Sequence, residues 1–288
     1  MKQPIVVGIG ELLWDLLPSG KQAGGAPINF VYHATQLGAT GYAISAVGKD
    51  PLGAEIIQEL NNNHIHFVLS TVDYPTGTVP VELKNGLPVY TIVENVAWDH
   101  LPVDKKAVNI LHQANAVCYG TLALRHPDTR ATIFRLLSEV PRSAIFFFDV
   151  NLRGTYYSKE LIEQLLQPAT VFKLNDDEIK VIRRLFKLTG TDDDVCQSLL
   201  EKYNLDYLIF TAGEKYSVVY TPAEKSFIET PLVSTVDTVG AGDAFSGAFV
   251  YSLLTGKSLR QAHEKAVAVS AYVCTQSGAW PSYKDFKS

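Results

Sequence analysis

The chain has 288 residues, enough for one large α/β domain or two small ones, and its 47% apolar and 19% charged residues are ordinary for a folded protein. A formal charge of −5 supplies no field for polyanions, which argues against nucleic acid as a partner. Cys118, Cys196 and Cys274 are odd in number and far apart, so they suggest neither a disulfide framework nor a zinc cluster and fit a reducing, cytoplasmic setting. No window reaches the roughly 18 to 20 apolar residues of a membrane span, and the N-terminal apolar run is too short for a signal peptide.

In chain order, Ile5–Ile9 is the first apolar run of buried-strand type. Gly8-Ile9-Gly10 after it resembles the opening of a dinucleotide fingerprint, but Leu13 stands where the third glycine is required. A strand near Leu12–Leu17 carries Asp15, whose carboxylate can accept from two hydroxyls. Gly24-Gly25-Ala26-Pro27 then starts a helix over Ile28–Leu37. Within it Asn29 offers both a donor and an acceptor, which suits neighbouring hydroxyls of a polyol. For Asp15 and Asn29 alike, a plain turn or cap role stays open. A strand at Gly41–Val47 and a helix at Leu52–Asn61 follow. Thr76–Val96 breaks the rhythm: TGTVPVELKNGLPVYTIVENV alternates with period two around Asn85-Gly86, a hairpin turn signal. This predicts a hairpin projecting from the sheet, either a small β lid built with the Leu12–Leu17 strand or an ordinary edge hairpin.

Beyond it, strands are expected at Ala116–Tyr119, Ala144–Asp149, Thr170–Lys173 and Tyr207–Thr211, alternating with helices at Asp128–Ser138, Leu161–Leu166, Asp176–Phe186 and Asp192–Tyr203. Alternation of this kind predicts βαβ units, a mostly parallel sheet and helices on both faces. Asn175-Asp176-Asp177-Glu178 opens one of those helices. It reads equally as a cap, with Asn175 at the N-cap and Glu178 at N3, or as a pair that orients magnesium-bound water. In Asp237-Thr238-Val239-Gly240-Ala241-Gly242-Asp243-Ala244-Phe245, an apolar helical stripe of Phe245, Ala248, Phe249, Ser252 and Leu253 begins at Ala241. Gly240, Ala241 and Gly242 therefore stand at a helix N-terminus, where free N–H groups and the macrodipole favour an anion. Asp243, in the first turn, complements the dipole or serves chemistry at the same spot. Gly256-Lys257-Ser258 resembles the end of a Walker loop, but its first glycine would fall at Tyr251; Gly256 reads as a helix C-cap.

These pieces together resemble the PfkB carbohydrate kinase family, with the ribokinase-like fold. DTVGAGDAF matches the family's C-terminal signature and GGAPINFVYHATQLGATGYAISAVGKDPLG its N-terminal one; NDDE matches its N-x-x-E element. Phe148-Asp149-Val150-Asn151-Leu152-Arg153 resembles its D-x-N-x-R stretch, and the matches run in order from Gly10 to Ser282. The resemblance implies a three-layer α/β/α sandwich forming a single kinase domain over 1–288, with a β lid formed by about 11–22 and 76–98. It implies that Asp243 is the catalytic base, with the amides of Gly240, Ala241 and Gly242 as an anion hole for the phosphoryl group moving from ATP. Asp15, Gly24, Gly25 and Asn29 would hold sugar hydroxyls, and Asn151 and Arg153 would lie near the sugar or the phosphate end. Asn175 and Glu178 would organise Mg2+ through water, and Thr211 and Gly213 would meet the nucleotide. The family often has a glycine where Tyr216 stands. Asp237, Val239, Gly278 and Ser282 correspond to the ligands of K+ in relatives that potassium activates. In many relatives two lids pair into a homodimer.

Gly10-Glu11-Leu12-Leu13-Trp14-Asp15-Leu16-Leu17-Pro18 is similar to the bacterial fructokinase G-E-x-x-W-D-x-x-P, and Gly86-Leu87-Pro88-Val89-Tyr90 with Ala97-Trp98-Asp99 to their lid. Trp98 and Trp14 read either as rings against the apolar face of a sugar or as core. The expected reaction is phosphorylation of D-fructose at its 6-hydroxyl. Another sugar, sugar-acid or nucleoside kinase is the neighbouring reading, and a catalytically silent sugar-binding regulator is the reading from a different class.

Overall fold

Side chains of a strand point alternately to opposite faces, so a strand buried on both sides feeds two cores at once. The computed structural model, which describes residues 3–17, 20–84 and 87–286, shows this pattern from its first strand, β1 (Ile5–Ile9). Val7 and Ile9 join one hydrophobic cluster and Val6 the other. There follow β2 (Leu13–Leu17), β3 (Gly20–Gly24), α1 (Ala26–Gln36), β4 (Thr40–Gly48), α2 (Pro51–Asn62), β5 (His66–Val72), β6 (Gly77–Lys84) and β7 (Leu87–Tyr90). The middle of the chain supplies α3 (Lys105–Leu111), β8 (Ala116–Tyr119), α4 (Pro127–Leu137), β9 (Ile145–Asp149), α5 (Lys159–Leu166) and β10 (Val171–Asn175). The rest is α6 (Glu178–Phe186), α7 (Asp192–Lys202), β11 (Tyr207–Thr211), β12 (Tyr216–Tyr220), β13 (Lys225–Glu229), α8 (Ala241–Leu254) and α9 (Leu259–Cys274).

Among the described residues the main sheet has nine strands in the order β13-β12-β11-β10-β9-β8-β1-β4-β5. Its pairs are parallel from β5 to β11, and only β12 and β13 run antiparallel at one edge. Helices α1, α8 and α9 share one cluster with Val6, Phe147, Val171 and Ile209, while α4 to α7 share the other with Phe148, Phe172 and Phe210. The result is the expected three-layer α/β/α arrangement, ribokinase-like in architecture. Helix α8 crosses α1 closely because Gly247 has no side chain: a Cβ there would stand 2.6 Å from the Phe30 carbonyl oxygen.

A second sheet of four strands, β3-β2-β6-β7, lies apart from the first. In it β2 pairs antiparallel with β3 and parallel with β6, and β6 pairs antiparallel with β7. β2, β6 and β7 lie in the two segments expected to make a lid and β3 runs two residues past the first, to Gly24; Pro18 and the Asn85-Gly86 turn lie outside the described residues. The period-two pattern stops at Tyr90; the chain then enters a short 3-10 helix, Ala97–His100. The sequence reading omitted β3, β5, β12, β13, α3 and α9. Among these, α9 had a legible start, since Ser258 and Gln261 form a capping box.

Candidate active site

The loops at the carboxyl ends of β1, β9, β10 and β11 open toward the same edge of the parallel sheet, where α/β proteins collect their ligands. Two helix starts contribute from one flank: Gly25, just before α1, and Gly240, just before α8. Gly240 has φ 77°, and a Cβ would also stand 2.8 Å from Ala279, so glycine is required on both counts.

At the centre is Asp243. Its Oδ2 accepts a 2.8 Å hydrogen bond from Asn29 Nδ2, which joins the two helix starts across 214 positions of sequence. Asn29 Oδ1 in turn accepts from Trp280 Nε1 at 2.8 Å, and that donor fixes which way the amide faces. Trp280 is itself clamped: its ring stacks on Tyr32 at 5.3 Å, and the Tyr32 hydroxyl donates to the Pro281 carbonyl at 2.7 Å. Under the loop lies a buried ion pair, Lys173 Nζ to Asp149 Oδ2 at 2.7 Å. A methyl group on Gly242 would stand 3.3 Å from that ammonium. Trp280 and Lys173 escaped the sequence reading. Lys173 carried a signal, since a lysine inside an apolar strand needs a partner.

Burial pushes the Asp243 carboxyl up to about 7, and the Asp149 charge adds to the rise; Lys173, the Asn29 hydrogen bond and Arg153 oppose it. Glu11, 2% exposed, is also raised to about 7, by burial first and then by the Asp243 charge. Asp15 is raised to about 6 by burial, with Arg153 opposing. Arg153 is exposed, yet its positive charge acts on Glu11, Asp15 and Asp243, so the three carboxyls share one cation. Lys173 is raised despite burial, because Asp149 and Glu178 favour its charged form. Asn151, between Asp149 and Arg153, has a left-handed φ of 36°, uncommon for a residue other than glycine.

The small sheet brings Asp15 to the same area, and Gly24 on the neighbouring strand, paired with Leu13, leaves room for the carboxylate; a Cβ there would stand 2.8 Å from Asp15 Oδ2. Neighbouring Trp14 points into the core, 4% exposed, and donates from Nε1 to the Leu52 carbonyl at 3.0 Å. Trp98 corrects an expectation. It is 1% exposed within the main core, with the Arg125 guanidinium 4.0 Å over its ring, so it presents no face to a sugar. A second correction concerns the anion hole: the Ala241 N–H already donates to the Thr238 carbonyl at 3.2 Å. Among the described residues, no acceptor meets the N–H groups of Gly242 and Asp243.

Asn175 and Glu178 cap each other. Asn175 Oδ1 accepts from the Asp177 and Glu178 N–H groups, and Glu178 Oε2 accepts from Asn175 N–H at 2.8 Å. Glu178 Oε1 accepts from Leu152 N–H at 3.0 Å, and burial, then Asp149, raises this carboxyl. Both oxygens are thus held by amides yet keep lone pairs, a donor set that suits water-mediated rather than direct contact with Mg2+. The Asp237 carboxylate bridges Val239 N–H and Gly278 N–H, each at 3.0 Å, whereas the Ser282 carbonyl accepts from the Tyr272 hydroxyl. The oxygen-rich turn at Asp237 suits a hard cation such as K+. Thr211 ends β11, and Gly213 occupies a tight turn in which Ala212 N–H donates to the Tyr216 carbonyl. Tyr216 opens β12 and pairs with Glu229 of β13, so the loop closes without a glycine at that position.

The chain as a whole is similar to known proteins. Residues 19–285 match the model of the pfkB family carbohydrate kinases, and the chain belongs to that family. It is therefore a phosphotransferase with a sugar acceptor. An uncharacterized sugar kinase from Pyrococcus horikoshii, solved in complex with ATP, superposes with a TM-score of 0.78 at 26% identity, covering 96% of this chain and 94% of that one. The Arabidopsis thaliana protein named "Probable fructokinase-5" is 30% identical over 97% of this chain and 94% of its own length. A fructokinase from Vibrio cholerae, solved with fructose, ADP and calcium, shares the fold with a TM-score of 0.80 at 21% identity, covering 96% of this chain and 95% of that one. Among the described residues no helix is long and apolar enough to cross a membrane.

Proposed function

We propose that the protein transfers the γ-phosphoryl group of ATP to the 6-hydroxyl of D-fructose, with Asp243 as the base. The observation that carries this reading is the Asp243 carboxyl, held by Asn29 at the start of α8 and raised to about 7, beside two free helix-start amides. A carboxyl near 7 is ionised in about half of the molecules at neutral pH, and it binds a proton far better than an ordinary aspartate. The hydroxyl oxygen forms a bond to the γ-phosphorus, the bond from that phosphorus to the β-phosphate oxygen breaks, and ADP leaves with its electron pair. Asp243 takes the hydroxyl proton. The N–H groups of Gly242 and Asp243, with that of Gly240, face the charge on the moving group, and Lys173 below them balances the carboxylates. Mg2+ would neutralise phosphate charge when bound, with Glu178 and Asn175 orienting its waters. Asp15, Gly24, Gly25, Asn29 and Arg153 surround the sugar, Asn151 lies near its phosphate end, and Thr211 and Gly213 border the nucleotide. Asp237, Val239 and Gly278 make the seat for K+, with Ser282 beyond it. The small sheet acts as the lid that excludes water, and paired lids make the homodimer.

Fructose as the acceptor rests on the G-E-x-x-W-D stretch ending at Asp15 and on the 30% identity to the Arabidopsis protein. An ADP-release assay across fructose, ribose, tagatose, 2-keto-3-deoxygluconate and adenosine tests it. Fructose is expected to give the highest kcat/KM. A better substrate among the others overturns the acceptor but leaves the base in place. Asp243→Asn is expected to lower kcat by about 10² to 10⁴, the range for a positioned base, while ATP still binds. Near-normal turnover in that variant rules out Asp243 as the base.

A further inference from the structure

Three side chains that phosphoryl transfer leaves unused meet at the surface beside the small sheet. His100 ends the 3-10 helix Ala97–His100, His126 is the N-cap of α4, and Asp128 lies in the first turn of α4. One ligand atom from each lies within 4.8 Å of the other two. His100 Nδ1 and His126 Nδ1 stand 3.9 and 3.8 Å from Asp128 Oδ2.

The proton positions make this cluster unusual. His100 Nε2 lies 2.9 Å from Asn95 Oδ1, which can only accept, so Nε2 carries the proton and Nδ1 the lone pair. His126 Nδ1 accepts a long 3.4 Å hydrogen bond from Asp128 N–H, so this nitrogen carries no proton and its lone pair is held only by that weak contact. Two unprotonated ring nitrogens and a carboxylate oxygen thus stand close together, one nitrogen held only by a long amide contact. Tyr74 stacks on the His100 ring at 3.5 Å and holds its orientation.

We propose that His100, His126 and Asp128 bind one borderline divalent transition cation, such as Zn2+ or Co2+, with water completing the shell. Bonds of about 2.0 to 2.2 Å in a tetrahedral shell set ligand atoms roughly 3.4 Å apart. The observed 3.8 and 3.9 Å, with all three ligand atoms within 4.8 Å of one another, close by rotations of side chains that are partly exposed, giving up the long Asp128 N–H contact to His126. Two imidazoles and one carboxylate select against Mg2+ and Ca2+, which prefer oxygen alone. The ion would tie the chain leaving the small sheet to the start of α4. It would sit beside the buried Asp99–Arg125 ion pair, in which Arg125 Nη2 also donates to the Val93 carbonyl.

The test is a titration of Co2+ into untagged, chelator-stripped protein in excess Mg2+, read by the visible d–d absorption of the ion and by Zn2+-dependent thermal shift. One equivalent is expected to bind with a tetrahedral or five-coordinate spectrum, and Zn2+ to displace it. His126→Gln and Asp128→Asn are each expected to weaken binding at least about tenfold, whereas Glu178→Gln leaves it unchanged. Both surface variants are expected to melt like the parent protein in chelator. An absent band, binding that survives both variants, or binding lost in Glu178→Gln instead overturns the proposal.

Discussion

Asp243, Asn29 and Trp280 form a line in which each residue fixes the next. Asn29 can donate to the carboxylate only if its oxygen faces away, and Trp280, a donor with no acceptor capacity, enforces that choice. Trp280→Phe keeps most of the stack on Tyr32 and removes only the N–H. The freed amide can then flip, and the base loses a hydrogen bond that favours its ionised form. The expected outcome is a fall of about three- to tenfold in kcat/KM at neutral pH, with the acid limb of its pH profile moved upward and little change in melting temperature. An unmoved pH profile would show that Trp280 serves packing alone. Asp243 and Asn29 were legible in the sequence because their neighbours are glycine, proline and an apolar stripe, which mark helix starts. Trp280 was not, because its partner is 251 positions away and nothing local calls for a donor.

At the scale of elements, the parallel strands were legible because they are continuous apolar runs: Ile5–Ile9, Ala116–Tyr119 and Tyr207–Thr211 are found at the expected bounds. The missed strands lie toward the edges. β5 and β13 are only partly buried, and their mixed side chains leave neither an apolar run nor a clean alternation. Trp98 shows the complementary failure, since a tryptophan beside an aspartate looks the same in sequence whether it meets a sugar or a guanidinium. Packing of elements also governs the site. Asn29 is one residue from Phe30, whose carbonyl touches Gly247 of α8. Gly247→Ala forces α1 and α8 apart, at a cost of about 1 to 3 kcal/mol for overpacking. Because Asn29 sits on one helix and Asp243 on the other, turnover is expected to fall along with stability. A variant that is destabilised yet fully active would show that the Asn29–Asp243 contact tolerates the shift.

For the molecule as a whole, the site's chemistry and the fold's stability respond to pH in opposite directions. Glu11, Asp15 and Asp243 are raised from 4.5, 3.8 and 3.8 to about 7, 6 and 7, so the folded chain holds more protons than the unfolded chain between about pH 4 and 7. Their contribution to stability is complete below pH 4 and is lost as pH rises through the folded values. His33 and His263, lowered by burial to about 3 and 4, act the other way and destabilise the fold as pH falls below about 6.5. Comparing a variant with its parent cancels the histidines. Glu11 has a buried Oε2 without a partner, so glutamine loses little there. For a carboxyl raised from 4.5 to about 7, the stability of Glu11→Gln relative to the parent is expected to increase by about 2 to 3 kcal/mol between pH 5 and 8. Denaturant unfolding of the ligand-free protein at the two pH values measures this, and a difference that stays constant would mean that Glu11 is already ionised at pH 5. The same substitution removes a negative charge next to Asp243, which lowers the pKa of the base and extends activity to lower pH. The sequence thus keeps at Glu11 a residue that costs stability at neutral pH.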